Sequence, residues 1–153
     1  MKLAAFTLVL LLGSMVGVAP ARAGLSLSES DRVQIIRSIL SRTNFLGKDE
    51  RSKTAYLSTE HIPSQLLKEM PAVEGVTFVL LTPAEVAEKA ERGFEYYALS
   101  NFRVTGRVVR ISFVENHEVR ATGYHSYAGR EYEYRKVRGK WRGKIRGIPL
   151  GMS

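Results

Sequence analysis

The chain of 153 residues carries 23 Lys or Arg against 15 Asp or Glu, a formal net charge of +8 at pH 7, and no cysteine. The absence of cysteine excludes a disulfide scaffold, a thiol nucleophile and the lipid-bearing cysteine of a bacterial lipoprotein. The charge is uneven, with 9 basic and 11 acidic residues over 24–101 but 12 basic and 4 acidic over 102–153, so an anionic partner is to be sought in the C-terminal part.

In chain order, Lys2, the apolar run Leu3 to Leu12 and Ala21-Arg22-Ala23 match the three regions of a signal peptide. This predicts a segment 1–23 removed before Gly24, and residues 24–153 as one domain exported to the bacterial periplasm or secreted. No later apolar stretch is long enough to span a bilayer. Ser28 or Ser30 is placed to cap a helix over about Asp31 to Arg42, where Val33, Ile36, Ile39 and Leu40 recur at helical spacing. Thr43 to Thr54 reads as a polar loop or frayed helix end, "AYLST" (55–59) as a short strand, and Pro63 as the first position of a short helix reaching Met70.

"VTFVLLT" (76–82) reads as a buried strand, and Thr82-Pro83-Ala84-Glu85 as a capping box opening a helix that Gly93 closes. Five β-rich runs follow, over 94–100, 103–114, 119–127, 130–137 and 140–146. The expected class is therefore α+β, with N-terminal helices packed on a curled antiparallel sheet. This order, with the strand meander and the closing "EYEYRKVRGKW", resembles the NTF2-like or cystatin-like class, which implies a sheet wrapped around a helix and a cavity on its concave face. "YLSTEHIP" with "GVTFVLLTPAEV" is similar to exported bacterial proteins without an assigned activity. Neither resemblance implies a catalytic residue.

A two-residue turn at Arg138-Gly139 sets Glu131 opposite Arg146, Tyr132 opposite Ile145, Glu133 opposite Lys144, Tyr134 opposite Gly143, Arg135 opposite Arg142 and Lys136 opposite Trp141. A second turn at Ala128-Gly129 sets His125 beside Tyr132, and a three-residue loop at Asn116-His117-Glu118 brings Val109, Ile111 and Phe113 to the same face. On that face lie Ala121, Gly123, His125, Tyr132, Tyr134, Trp141, Gly143 and Ile145, with no Asp or Glu of the C-terminal strands. The opposite face carries Arg120, Glu131, Glu133, Arg135, Lys140, Arg142, Lys144 and Arg146. With the aromatics and the cations pointing apart, base stacking and sequence-specific nucleic-acid recognition are not expected.

The candidate ligand site is thus His125, Tyr132, Tyr134 and Trp141, and the candidate anion site Arg135, Lys140, Arg142, Lys144 and Arg146. His125 is the candidate acid or base of a small cavity enzyme. No zinc, nucleophile-elbow or phosphate-loop spacing occurs, so neither a metal nor a cofactor is expected. The leading expectation is an exported, non-catalytic binding domain for a small ligand or protein. An anionic envelope polymer on the basic face is the alternative.

Overall fold

The computed structural model describes residues 27–46, 51–147 and 150–152, with the backbone alone described at 150 and 152. The expected signal peptide, 1–23, lies outside the described residues. Helix α1 (Glu29–Arg42) begins where Ser28 accepts a hydrogen bond from the Asp31 amide at 3.1 Å. Val33, Ile35, Ile36, Ile39 and Leu40 form its buried stripe, and it ends as Thr43 turns to extended backbone and donates its hydroxyl to the Ile39 carbonyl at 2.9 Å. Then follow β1 (Lys53–Ser58), α2 (Ser64–Lys68), β2 (Val76–Leu81), α3 (Pro83–Ala90), β3 (Phe94–Thr105), β4 (Val108–Val119), a 3-10 turn (Arg120–Thr122), β5 (Tyr124–Val137), β6 (Lys140–Gly147) and β7 (Leu150–Met152).

The class is α+β, as the order of elements led one to expect, but the sheet is mixed. Its strands run β2-β1-β3-β4-β5-β6, curled into a half-barrel, with β7 paired to β5 beyond the end of β6. β1 is parallel to both β2 and β3, because the chain crosses over through α2 between β1 and β2 and through α3 between β2 and β3. The remaining pairings are antiparallel. The capping box at Thr82 and Glu85 is present, with Glu85 Oε2 accepting from the Thr82 amide at 2.7 Å. Pro63 is the cap of α2 rather than its first residue, so that helix starts one residue later than the sequence suggested and ends at Lys68 instead of Met70.

Side chains alternate between two faces of this sheet. The inner face buries Ala55, Leu57, Tyr97, Leu99, Val109, Ile111, Phe113, Tyr132 and Tyr134 in one core with the α1 stripe. Phe45, just past α1, joins it edge-on to Phe78, Tyr97 and Phe113. Leu81, Val86, Ala90 and Val114 are buried outside that core, which places α3 on the outer face. β2 is an edge strand, half-buried for most of its length, rather than the buried strand its apolar run predicted. Its run is apolar because Phe78 and Leu80 face the core while Leu81 lies under α3.

Two expected turns are absent. β4 runs through Asn116-His117-Glu118, and β5 runs through Ala128-Gly129. Gly129 serves close approach instead of a turn: a Cβ there would overlap the Phe113 carbonyl and the Val114 backbone. The real turns lie at Gly106-Arg107 and at Arg120 to Gly123, where Gly123 takes φ +71. The Arg138-Gly139 turn and its register hold from Tyr132 to Val137, with both turn residues at positive φ, 49 and 77. Beyond Tyr132 a bulge moves Glu131 opposite Gly147 instead of Arg146.

Gly143 lies beneath the Tyr134 ring, which a Cβ would strike, whereas nothing stands within 4 Å of a Cβ at Gly147. Gly143→Ala is expected to cost about 1–3 kcal/mol by displacing a core tyrosine. Gly147→Ala is expected to stay within about 0.5 kcal/mol. Urea unfolding of the two variants measures the difference, and equal stabilities would contradict the packing.

Candidate functional site

The continuous β5 strand decides where the candidate residues fall. His125 lies an odd number of positions before Tyr132 and Tyr134 along one strand, so it points to the outer face and they point to the core. The expected grouping of His125 with Tyr132, Tyr134 and Trp141 is therefore divided. Tyr132 and Tyr134 are buried, and the Tyr134 hydroxyl meets no hydrogen-bond partner among the described residues. Desolvation raises the Tyr134 phenol above its ordinary pKa. Ala121 and Gly123 lie in the turn before β5.

Trp141 stays on the inner face, at the start of α1. Its Nε1 donates to Asp31 Oδ1 at 2.7 Å, and Lys136 Nζ donates to the same oxygen at 2.8 Å. The Lys136 hydrogen bond first, then that of Trp141, hold the Asp31 carboxyl well below its ordinary range, at about 2. A cavity of about 230 Å³ beside this clamp is lined by Leu27, Val104 and Arg107 among others.

α1 covers the inner face only at the end near Asp31 and Trp141. At the other end the same face carries Lys53, Glu95, Tyr97, Glu115, His117 and Ser126, set together by the pairings Tyr97↔Glu115 and Glu95↔His117↔Ser126. Lys53 Nζ donates to the Tyr97 hydroxyl at 3.1 Å and to Glu115 Oε1 at 3.2 Å, and His117 Nδ1 lies 3.3 Å from Glu95. Three adjoining recesses of about 610, 360 and 250 Å³ share Glu115 and form a groove along this end.

Burial lowers the Lys53 pKa, but Tyr97 and Glu115 together more than reverse it, so the amine stays charged. Burial and the nearby Glu115 carboxylate push the Tyr97 phenol up to about 12. Glu115 thus places a carboxylate on the core face, where the sequence register put no Asp or Glu of the C-terminal strands, and Glu95 of β3 joins it.

The outer face is divided in the same way. Under α3, His125 Nε2 bonds Asn116 Oδ1 at 3.1 Å, and Glu118 accepts from Tyr96 at 3.0 Å and from Arg120 at 2.8 Å. They line an open cleft of about 640 Å³ whose rim includes His61 and Asn101, both at positive φ (65 and 51). Farther along, no helix among the described residues covers β4 to β6. There Arg103, Arg110, Glu133 and Lys144 lie directly across four strands, and Arg135 and Arg142 form the next row.

Glu133 is only 2% exposed and gathers the cations: Arg146 at 3.0 Å, Arg135 at 3.2 Å, Arg110 at 3.3 Å and Lys144 at 3.6 Å. Desolvation pushes its carboxyl upward. The Arg110 hydrogen bond and the charges of Arg146, Lys144 and Arg135 outweigh that and hold it below the ordinary range. This answers the like-charge conflict of Arg135 opposite Arg142, since Arg135 turns to the carboxylate. The structure therefore brings together the expected Arg135, Arg142, Lys144 and Arg146, leaves Lys140 at the turn, and adds Arg103 and Arg110 from strands whose pairing sequence alone did not give.

Among the described residues no group of three or more His, Cys, Asp or Glu is placed to hold a metal ion. No protein-family model, no curated protein and no solved structure matches this chain.

Because the Asp31 carboxyl is depressed from 3.8 to about 2, its stabilising contribution is fully present above about pH 4 and is lost as pH falls towards 2. Asp31→Asn is expected to cost roughly 1.5 kcal/mol near neutrality, the scale of a charge-assisted hydrogen bond. The gap to wild type should close below about pH 2. Trp141 is the only tryptophan, so its fluorescence during denaturant unfolding at several pH values reads this directly. A gap that does not change with pH would remove the clamp's electrostatic role.

Proposed function

We propose that this chain is an exported, non-catalytic binding domain that holds a small ligand of mixed polarity in the groove on the inner sheet face. The fold is read as NTF2-like or cystatin-like, a reading supported by α1 lying against a curled sheet. The observation that carries the function is the uncovered end of the inner face, where Lys53, Tyr97 and Glu115 are already hydrogen-bonded around an open recess. A site prepared in this way loses little side-chain entropy when a ligand arrives.

Binding is favoured over catalysis because the two groups that anchor the groove, Lys53 and Tyr97, are not poised for proton transfer. General acids and bases work best with pKa values near the operating pH. The Tyr97 phenol at about 12 and the further raised Lys53 lie far from neutrality. The earlier acid–base candidate, His125, faces the outer cleft, where Asn116 engages its Nε2.

Screening small polar metabolites by thermal shift, followed by amide chemical-shift mapping, tests the reading. A ligand present at a hundred times its Kd is expected to add about 2.7 kcal/mol of stability. Its shifts should cluster at Lys53, Tyr97, Glu115 and His117, and Lys53→Met together with Ala128→Trp should weaken it at least tenfold. Shifts centred on His125 and Asn116, with both variants binding normally, would reject the inner groove.

A further inference from the structure

The outer end of the sheet presents a second surface, independent of the inner groove. We infer that it docks the protein peripherally on a bilayer bearing anionic phospholipid, with the cations of β3 to β6 meeting lipid phosphates and the apolar tip of the β5–β6 hairpin entering the interface. The cation array provides the first half of the argument. Arg103, Arg110, Arg135, Arg142, Lys144 and Arg146 are spread over four strands, a width of about 14 Å at normal strand spacing. Charges on adjacent strands, about 4.8 Å apart, lie within the Debye length of about 8 Å at physiological salt, so neighbours act together on one anionic surface.

Glu133 neutralises only part of this charge. Buried beneath the cations, it orients Arg110, Arg135, Lys144 and Arg146 and leaves Arg103 and Arg142 without a bond to it. Guanidinium groups suit phosphate oxygens through paired N–H donors. The array is therefore a preformed phosphate-binding plane rather than a set of independently solvated side chains.

The second half of the argument distinguishes a bilayer from a soluble polyanion. The pairing Thr105↔Val108↔Arg135 brings the turns at Gly106-Arg107 and Arg138-Gly139 to the same end of the sheet. Val137 lies beside the Arg138-Gly139 turn on the cationic face and is 45% exposed. Arg138 and Lys140 flank it, with Arg107 at the neighbouring tip, all exposed. An apolar tip ringed by cations matches an interface in which acyl chains lie just below phosphate. Nucleic acid fits less well, since Tyr132 and Tyr134 are in the core and Trp141 is bonded to Asp31, leaving none of them beside the array to stack on bases.

Co-sedimentation of the full chain with vesicles of phosphatidylcholine, or of equimolar phosphatidylcholine and phosphatidylglycerol, tests this. Binding to the neutral vesicles is subtracted, so that the apolar N-terminal run contributes equally to every arm. Each basic residue near an anionic bilayer contributes roughly fivefold in partitioning. The mixed vesicles should therefore bind at least tenfold more protein, with the excess falling as salt rises. Arg103→Glu with Arg142→Glu, neither of which bonds Glu133, should abolish most of that excess, and Lys140→Glu serves if circular dichroism finds the pair misfolded.

Val137→Ser, which removes the exposed apolar side chain without adding charge, should reduce vesicle binding severalfold and leave retention of soluble polyphosphate unchanged. Lys53→Met should change neither, which separates this surface from the inner groove. Equal binding to both vesicle types, or charge reversal without effect, would overturn the proposal. So would a Val137→Ser variant that binds vesicles normally while polyphosphate competes fully, since the array would then serve a soluble phosphate polymer.

Discussion

The packing of α1 across one end of the inner face is the contact on which the remaining arrangement depends. A helix of 14 residues is about 21 Å long, whereas a strand of 14 residues such as β5 extends about 46 Å. The helix is therefore too short to cover the strands it packs against. What it covers becomes core, with Ile35, Ile36, Ile39 and Leu40 against Tyr132, Tyr134 and Ile111. What it leaves uncovered must be polar, and Lys53, Glu115 and His117 occupy that length of the same strands. The clamp from Asp31 to Trp141 and Lys136 fixes which end is which, because it ties the start of the helix to the β5–β6 turn.

Local chemistry was legible in the sequence. The Ser28 cap, the Thr82 to Glu85 capping box and the Arg138-Gly139 register each depend on residues a few positions apart, and each is found. Gly129 was misread because a glycine in a β-rich run has two explanations, a turn or a close approach of backbones, and only the neighbouring strand distinguishes them. That error had a large effect. Removing a two-residue turn joins two short strands into one and reverses the face of every residue on one side of it, which is why His125 exchanges surfaces.

The candidate residues missed altogether share a different cause. Lys53 and Glu115 are 62 positions apart, and only the parallel placement of β1 beside β3 unites them. A parallel strand contributed through crossovers leaves no hairpin signal near it. Arg103 and Arg110 were visible as charges, but a bulge between Ser100 and Arg103 sets their partners and hides the row from simple alternation. Glu133 was placed correctly on the basic face. That it sits beneath the cations rather than among them is a matter of depth, which a periodic pattern does not encode.

The β6 strand has a further consequence, because it ends the sheet. An edge strand presents unpaired backbone groups to any other extended chain, and a flat, apolar one invites it to add on. β6 carries Lys140, Arg142, Lys144 and Arg146 within eight residues, has a bulge opposite Glu131, and hands its place to β7 farther along β5. Two copies approaching edge to edge would bring these cations face to face over an interrupted ladder. The charge on this strand thus opposes edge-to-edge pairing through β6. An anionic surface that neutralised that charge would remove part of the protection at the place where molecules are most concentrated.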